Sequence, residues 1–424
     1  MFKNVIRTKI LLPFIAFVLL TLNAFSLHAM SEQQVINFAV LANSKIKENI
    51  YRYRVSDFEK IHPNIKVRLI RLKSRNYPDL LAELMAMSDD IDVINWFASN
   101  RLNTLVKNGF VVDINDYWQE NHLDFQFNQA SKEQVLFNDN VYGIPLTSYI
   151  WGFYYKKSLF KRLGVNTPNT WPEFINLLDT LEQNQIAPIA LGTKYPWQIA
   201  GWFDYLMLRL HGADKYQQLV NGDLAFNSRE VLLVFNYWKN LLNKKYIFAQ
   251  HRFFDGDELM PLIYREVVGI NLIGSFSLSS LPIKNQADIG FFPFPTISDD
   301  TENSVLAPMS VIALTKNGAK KAHLTKFLQF FNTNETQIFI NKGLSTFSPK
   351  QSARIDGRPI IKQTAEIFEA ANYHSQYFDL EFEFEMAEYA KKAFSEFINH
   401  QDVNKVTELL EQKRKILYLE SNPP

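Results

Sequence analysis

The sequence predicts an α/β fold with an open, mostly parallel sheet flanked by helices, in a chain long enough for two or three domain-sized units. Short β-branched apolar runs alternate with stretches of helical period from residue 35 onward. The 424 residues exceed one domain, and no Gly-, Ser- or Pro-rich linker divides them, so the chain should cross between units inside the fold.

The first residues form a separate object. Lys3, Arg7 and Lys9 precede an apolar run from Ile10 to Leu20 broken only by Pro13, no acidic residue appears before Glu32, and Leu27-His28-Ala29 offers a small-residue cleavage site. This predicts a signal peptide over 1–29, because the apolar run falls short of the roughly 20 residues a membrane span needs. Cleavage after Ala29 leaves 395 residues with 42 basic against 44 acidic side chains, a balance of −2. The chain contains no cysteine, so an exported form has neither disulfides nor a lipid anchor at the cleavage site. The expected location is the periplasm, free of the membrane.

Val35 to Leu41 reads as a strand buried on both faces. A helix over 44–61 follows, with Ile46, Ile50, Tyr53, Phe58 and Ile61 on its apolar side, and His62-Pro63-Asn64 stops it. Ile65 to Leu72 alternates apolar and basic residues as a second strand, Tyr77 to Met87 is a helix, and Ile91 to Phe97 a third strand. Ligands of such sheets sit beyond the carboxyl ends of the strands, which selects Asn43, Arg75, Asn95 and Trp96 as pocket candidates. Arg71, Lys73 and Arg75 could hold an anion, but read first as the wet side of an edge strand.

Further on, Val141 to Pro145 turns into an aromatic strand over Tyr149 to Tyr155, and a helix runs through Leu163 to the Gly164 turn. Thr170 and Glu173 have capping-box spacing with Pro172 in the first helical turn. Strands are predicted at Ile186–Leu191, Val267–Ile273, Ile289–Phe294 and Val311–Thr315, and helices from Trp197 to about His211, over Ala322–Phe331 and over about Met386–Ile398.

Charge and motif content exclude several functions. With 45 Lys+Arg against 44 Asp+Glu and no long run of one sign, nothing points to nucleic acid, and zero Cys removes thiolate metal sites and cysteine nucleophiles. GxSxG, HExxH, GxGxxG and P-loop patterns are absent, and the eight histidines are scattered, each reading as a surface or capping residue. No cofactor and no metal is expected. The stretch Asp379-Leu380-Glu381-Phe382-Glu383-Phe384-Glu385 could supply paired carboxylates for a glycosidase or lyase using Glu381 and Glu385, but reads first as a solvated face alternating with buried Leu380, Phe382 and Phe384.

What the chain has in surplus is aromatic side chains, 35 Phe, 18 Tyr and 7 Trp, several at strand ends or helix starts. Trp96, Tyr149, Trp151, Trp197, Trp202 and Phe276 are so placed. Flat apolar rings beside Asn, Asp and Tyr groups match the C–H faces and hydroxyls of a sugar, although core packing accounts for any one of them taken alone.

Several segments in order resemble the bacterial extracellular solute-binding proteins of family 1, the maltose-binding-protein-like sugar receptors of ABC importers. They include Phe58-Glu59-Lys60-Ile61-His62-Pro63-Asn64, Asp92-Val93-Ile94-Asn95-Trp96, Gly109-Phe110-Val111-Val112-Asp113, Trp151-Gly152-Phe153-Tyr154-Tyr155-Lys156-Lys157, Thr170-Trp171-Pro172-Glu173-Phe174 and Gly274-Ser275-Phe276. The resemblance implies a two-lobed, type II periplasmic-binding-protein fold with three interlobe crossings. Lobe 1 is expected over 30–145 plus 308–331, and lobe 2 over 146–307 plus 332–424. It further implies a monomeric receptor that catalyses nothing, closes on a carbohydrate by hinge motion and presents it to an ABC permease. The alternative is a membrane histidine kinase or chemoreceptor as the partner. Ligand contacts are expected at Asn43, Asn95, Trp96, Tyr149, Trp151, Trp197 and Phe276, and at Phe347 in a loop that resembles the one closing over the ligand.

Overall fold

The computed structural model describes residues 33–42, 44–72, 77–244, 246–301, 303–354 and 357–420. The signal peptide expected over 1–29, and Asn43, Lys73 and Arg75, lie outside them. Among the described residues no helix is long and apolar enough to cross a membrane.

The chain begins with the expected alternation: β1 (Gln34–Leu41), α1 (Lys45–Ile61), β2 (Ile65–Leu72), α2 (Tyr77–Ala86), β3 (Val93–Phe97) and α3 (Asn100–Lys107). β2 and β3 flank β1 in parallel, so β2 is the edge strand its basic alternation predicts. After β4 (Ile144–Ser148) the chain crosses to a second sheet. There it forms β5 (Trp151–Lys156), α4 (Trp171–Gln183), β6 (Ala187–Ala190), α5 (Trp197–Val220), α6 (Arg229–Asn243), β7 (Val268–Gly274) and β8 (Ile289–Phe292). It returns through β9 (Ser304–Leu306) to β10 (Met309–Leu314), α7 (Leu324–Phe331) and α8 (Asn334–Leu344). A last crossing leads to α9 (Pro359–Ala370), β11 (Tyr373–Ser375), α10 (Phe378–Glu381), α11 (Phe384–His400) and α12 (Val403–Arg414).

Strand order is β2-β1-β3-β10-β4 in lobe 1 and β8-β5-β7-β6 in lobe 2, with a small parallel pair β9-β11. Every antiparallel pairing within the two main sheets involves β5 or β10, the first sheet strands after a crossing. β6 and β7 are parallel.

The α1 stripe is rotated from the predicted one. Ile50, Tyr51, Arg54, Val55 and Phe58 are buried, whereas Ile46, Tyr53 and Ile61 are exposed. α8 packs along α1, and the buried face is completed by polar ends: Tyr51 Oη donates to Asn95 Oδ1 at 3.0 Å and Arg54 Nη2 to Thr336 Oγ1 at 2.8 Å. That packing also moves the third crossing. Residues 332–344, expected in lobe 2, bind lobe 1, where Gln337 donates to Pro145 O and Asn341 to Leu146 O. The Thr170–Glu173 capping box is present, while α5 runs beyond His211 to Val220 through Gly212, whose φ of 77° kinks it.

Each lobe has its own aromatic-rich core. Phe38, Phe58, Trp96, Phe327 and Phe331 centre lobe 1. In lobe 2 the alternation of β5 sends Trp151 and Phe153 to one face of the sheet and Ile150 and Tyr154 to the other, where Phe291, Phe347 and Phe368 pack. His374, expected at a surface or cap, is buried: its ring stacks on Phe368 at 4.0 Å between centroids and its Nε2 bonds Phe368 O. Burial pushes its pKa down to about 4.

Candidate functional site

The structure brings four of the expected ligand contacts into one cluster on lobe 2, at its junction with lobe 1. Tyr149 lies in the first crossing, and its ring meets Phe276 edge-on at 5.0 Å. Phe276, just past β7, lies 6.3 Å from Trp197. Trp197 opens α5 and meets Trp151 edge-on at 5.7 Å. Tyr377, from the turn between β11 and α10, adds a fifth ring 5.4 Å from Trp151. Tyr149, Trp197, Phe276 and Tyr377 are half-buried and Trp151 is covered by them.

Two glycines make this density possible. A Cβ on Gly274 would stand 2.5 Å from the Tyr149 ring and 2.6 Å from that of Phe276, and one on Gly201 would stand 2.7 Å from Trp151. No side chain fits at either place without displacing a ring.

Polar groups then fix the rings. Trp197 Nε1 donates to Asp255 Oδ1 at 2.7 Å, and Asp255 is itself held by a reciprocal capping box with Glu258. Gln198 ties the loop between β6 and α5 to the sheet, accepting from Gly192 N at 2.7 Å and donating to Asn271 Oδ1 at 2.6 Å. Burial, with the nearby Asp257 carboxylate second, pushes the Tyr149 hydroxyl well above the usual phenol range. The Tyr377 hydroxyl is raised by burial and then by Asp379, Tyr149 and Asp257, against which Arg101 of lobe 1 acts. Both phenols stay neutral and able to donate or accept. The Trp151 indole N–H, nearly buried among these rings, finds no hydrogen-bond partner among the described residues.

The other expected contacts lie elsewhere. Trp96 has no exposed surface; it fills the lobe 1 core and its Nε1 donates to Arg101 O at 3.1 Å. Asn95 is likewise buried, accepting from Tyr51 and donating to Val311 O. Phe347 packs inside lobe 2 against Phe368, and its backbone pairs with Ser148. Strand ends predicted Asn95 and Trp96, but Tyr51 of α1 reaches Asn95 from one side of β3 and α3 packs on the strand, so both side chains are covered; Phe347, expected from the resemblance of its loop, is covered by the lobe 2 core. The carboxylates of the glycosidase alternative are also apart in kind: Glu381 is buried against Ser99 of lobe 1, and Glu385 is exposed and pairs with Lys413. Glu381 therefore departs from the solvated face expected of 379–385, because 378–381 form a short helix that turns its carboxylate toward lobe 1. Among the described residues no group of His, Cys, Asp and Glu could hold a metal ion.

The sequence reading missed Tyr377, which has no periodic neighbours to mark it, and Asp255, whose Asp-x-x-Glu spacing to Glu258 was a legible cap.

The family model for bacterial extracellular solute-binding proteins matches residues 42–338. The chain belongs to this family. A multiple sugar-binding protein of Streptococcus mutans is 25% identical over 323 residues, covering 72% of this chain and 73% of the relative. The melibiose/raffinose/stachyose-binding protein of Bacillus subtilis is 21% identical over 259 residues, 59% of each chain. Among solved structures, the solute receptor AcbH, described as preferring β-D-galactopyranose exclusively, superposes with a TM-score of 0.82 at 22% identity, covering 91% of this chain and all of that one. A chitin oligosaccharide binding protein superposes with a TM-score of 0.79 at 17% identity, with 91% and 100% coverage. These likenesses establish the two-lobed receptor fold.

Proposed function

We propose that this protein is an exported carbohydrate receptor of an ABC importer. It captures a mono- or oligosaccharide on the ring cluster at the lobe junction, closes by hinge motion and delivers the sugar to the permease. The observation that carries the reading is the half-buried cluster of Tyr149, Trp197, Phe276 and Tyr377 around Trp151, with Trp197 locked by Asp255. Apolar rings beside neutral phenols and carboxylates offer a sugar both faces to stack on and partners for its hydroxyls. Named relatives that bind sugars support the same class. A capture site needs no activated nucleophile, and the mature chain would work as a monomer in the periplasm after loss of residues 1–29, without a lipid anchor.

The experiment is a thermal-shift and tryptophan-fluorescence screen of the mature protein against neutral, amino and acidic mono- and oligosaccharides. A ligand raises the melting temperature by mass action and changes the emission of Trp197. No shift with any sugar, or a bound sugar whose affinity is unchanged in Trp197→Ala, overturns the reading.

A further inference from the structure

A polar contact between the lobes that the ligand site does not use is built around Glu381. α10 belongs to lobe 2 by its apolar side: Phe378 and Phe382 stack at 3.8 Å and lie in the core beside Phe203, and Phe378 N donates to Asp204 Oδ2 at 2.7 Å. Its polar side belongs to lobe 1. Ser99 Oγ donates to the Glu381 carboxylate, at 3.1 and 3.2 Å from its two oxygens, and Asn100 Nδ2 donates to Glu381 O at 2.9 Å. Arg101 donates to Asp379 O, and Gln376 joins Gln134 across the same seam at 2.6 Å.

Ser99 is unusual for a helix N-cap. Its hydroxyl caps nothing in α3, and its backbone sits at φ 56°, ψ −136°, outside the regions that side-chain-bearing residues favour. Such conformations persist where surrounding contacts over-determine them, and they gather at switches and clamps. Here the contacts are Ser99 N donating to Gln134 O at 2.8 Å and the hydroxyl donating to Glu381.

We infer that Glu381 and Ser99 form a clasp between the lobes that sets the balance of open and closed forms before any ligand arrives. The pocket around the clasp makes it responsive to pH. Burial raises the Glu381 carboxyl, opposed by Gln376 N, Ser99, Gln217 and Arg101. Burial also raises Asp204 of α5 well above the usual carboxylate range, with Glu381 and Asp379 adding to it. The remaining groups facing the pocket are Tyr216 of α5 and Tyr373 of β11, both raised, and Asp379, whose charge is matched by Lys391 of α11. Separating the seam would return Glu381 to water and its pKa toward the ordinary value. Proton uptake therefore favours the clasped form, and the advantage is lost as pH rises through the raised pKa.

The test needs no ligand, so it stands apart from the sugar reading. Because the chain has no cysteine, spin labels on Ser56→Cys and Asn240→Cys, exposed sites on α1 and α6, report one interlobe distance without background. Expected by pulsed EPR is a single short-distance population at pH 5 and an added longer one at pH 8 in the otherwise unaltered mature protein. Glu381→Gln, a neutral isostere, should keep the short population at both pH values, and Ser99→Ala and Glu381→Ala should show the longer one at both. Far-UV circular dichroism checks folding, and Ser99→Ala, which removes one hydroxyl, decides if Glu381→Ala is unfolded. A distribution that is the same at both pH values and unchanged by Ser99→Ala overturns the clasp.

Discussion

Two tryptophans occupy matched positions in the two lobes and do different things. Trp96 is the penultimate residue of β3 in lobe 1 and Trp197 follows β6 of lobe 2, so both stand near the carboxyl end of a sheet strand. Trp96 is sealed between its sheet and its helices, and its N–H is spent on the backbone of the next helix. Trp197 is half-open, and its N–H is held by a side chain, Asp255, that a loop presents to it. A strand end places a residue near the cleft; whether it faces the cleft depends on what packs over it. In lobe 1 the ring went to the core, and in lobe 2 to the half-open cluster of the candidate site.

Substitutions can break this contrast. The largest effect is expected at Trp96→Ala, which removes a fully buried indole and should cost about 3–5 kcal/mol in urea unfolding, while the folded fraction retains its ligand affinity. If the folded variant loses affinity as Trp197→Ala does, Trp96 contacts ligand after all and the contrast fails. Lobe 2 has its own buried outlier in His374. With its pKa depressed to about 4, the native state prefers the neutral ring, so this stabilisation is complete above the ordinary histidine pKa near 6.5. It is lost as pH falls toward 4, by roughly 3 kcal/mol at most. Denaturation midpoints from pH 7 to 4 should decline, and His374→Gln should flatten the decline; an equal slope in both proteins removes the histidine as its cause.

Next comes Trp197→Ala, for which the expected change lies in binding: loss of a stacked ring weakens sugar affinity by about 1.5–3 kcal/mol, roughly tenfold or more, by calorimetry. Stability should fall less than in Trp96→Ala, because Trp197 is only partly covered. The smallest effect sharpens the comparison from outside the cleft. Thr170→Ala removes the α4 cap and should lower lobe 2 stability by about 1 kcal/mol without touching affinity, whereas reduced affinity here would mean that lobe stability and binding are coupled.

Much of the fold was legible. The βαβ alternation of lobe 1, the Thr170 capping box and the buried strands announce themselves through local chemistry: period, branching and cap spacing. The candidate site was legible in part. Tyr149, Trp151, Trp197 and Phe276 were found because they adjoin strand ends, and they meet because β5 and β7 are neighbours in register, with Trp151 opposite Gly274. Asn95 and Trp96 share the same local signature and lie in the interior, as does Phe347, which was expected from the resemblance of its loop. Tyr377 and Glu381 carry no such signature, since their environment is made by residues far away in sequence.

The sequence by itself determined the strands of both sheets, the first helices of lobe 1 and the capped helix at Thr170, and that the chain is rich in rings; the helices α6, α8, α9 and α12, part of them in a stretch that reads as loop, were not legible in it. Only the tertiary structure decided which rings remain open and which carboxylate is buried. α8 packs on α1 rather than on lobe 2, and α10 bridges the lobes. The physical reason is range: period and capping act over a few residues, whereas burial is set by neighbours that the chain returns only after two or three crossings.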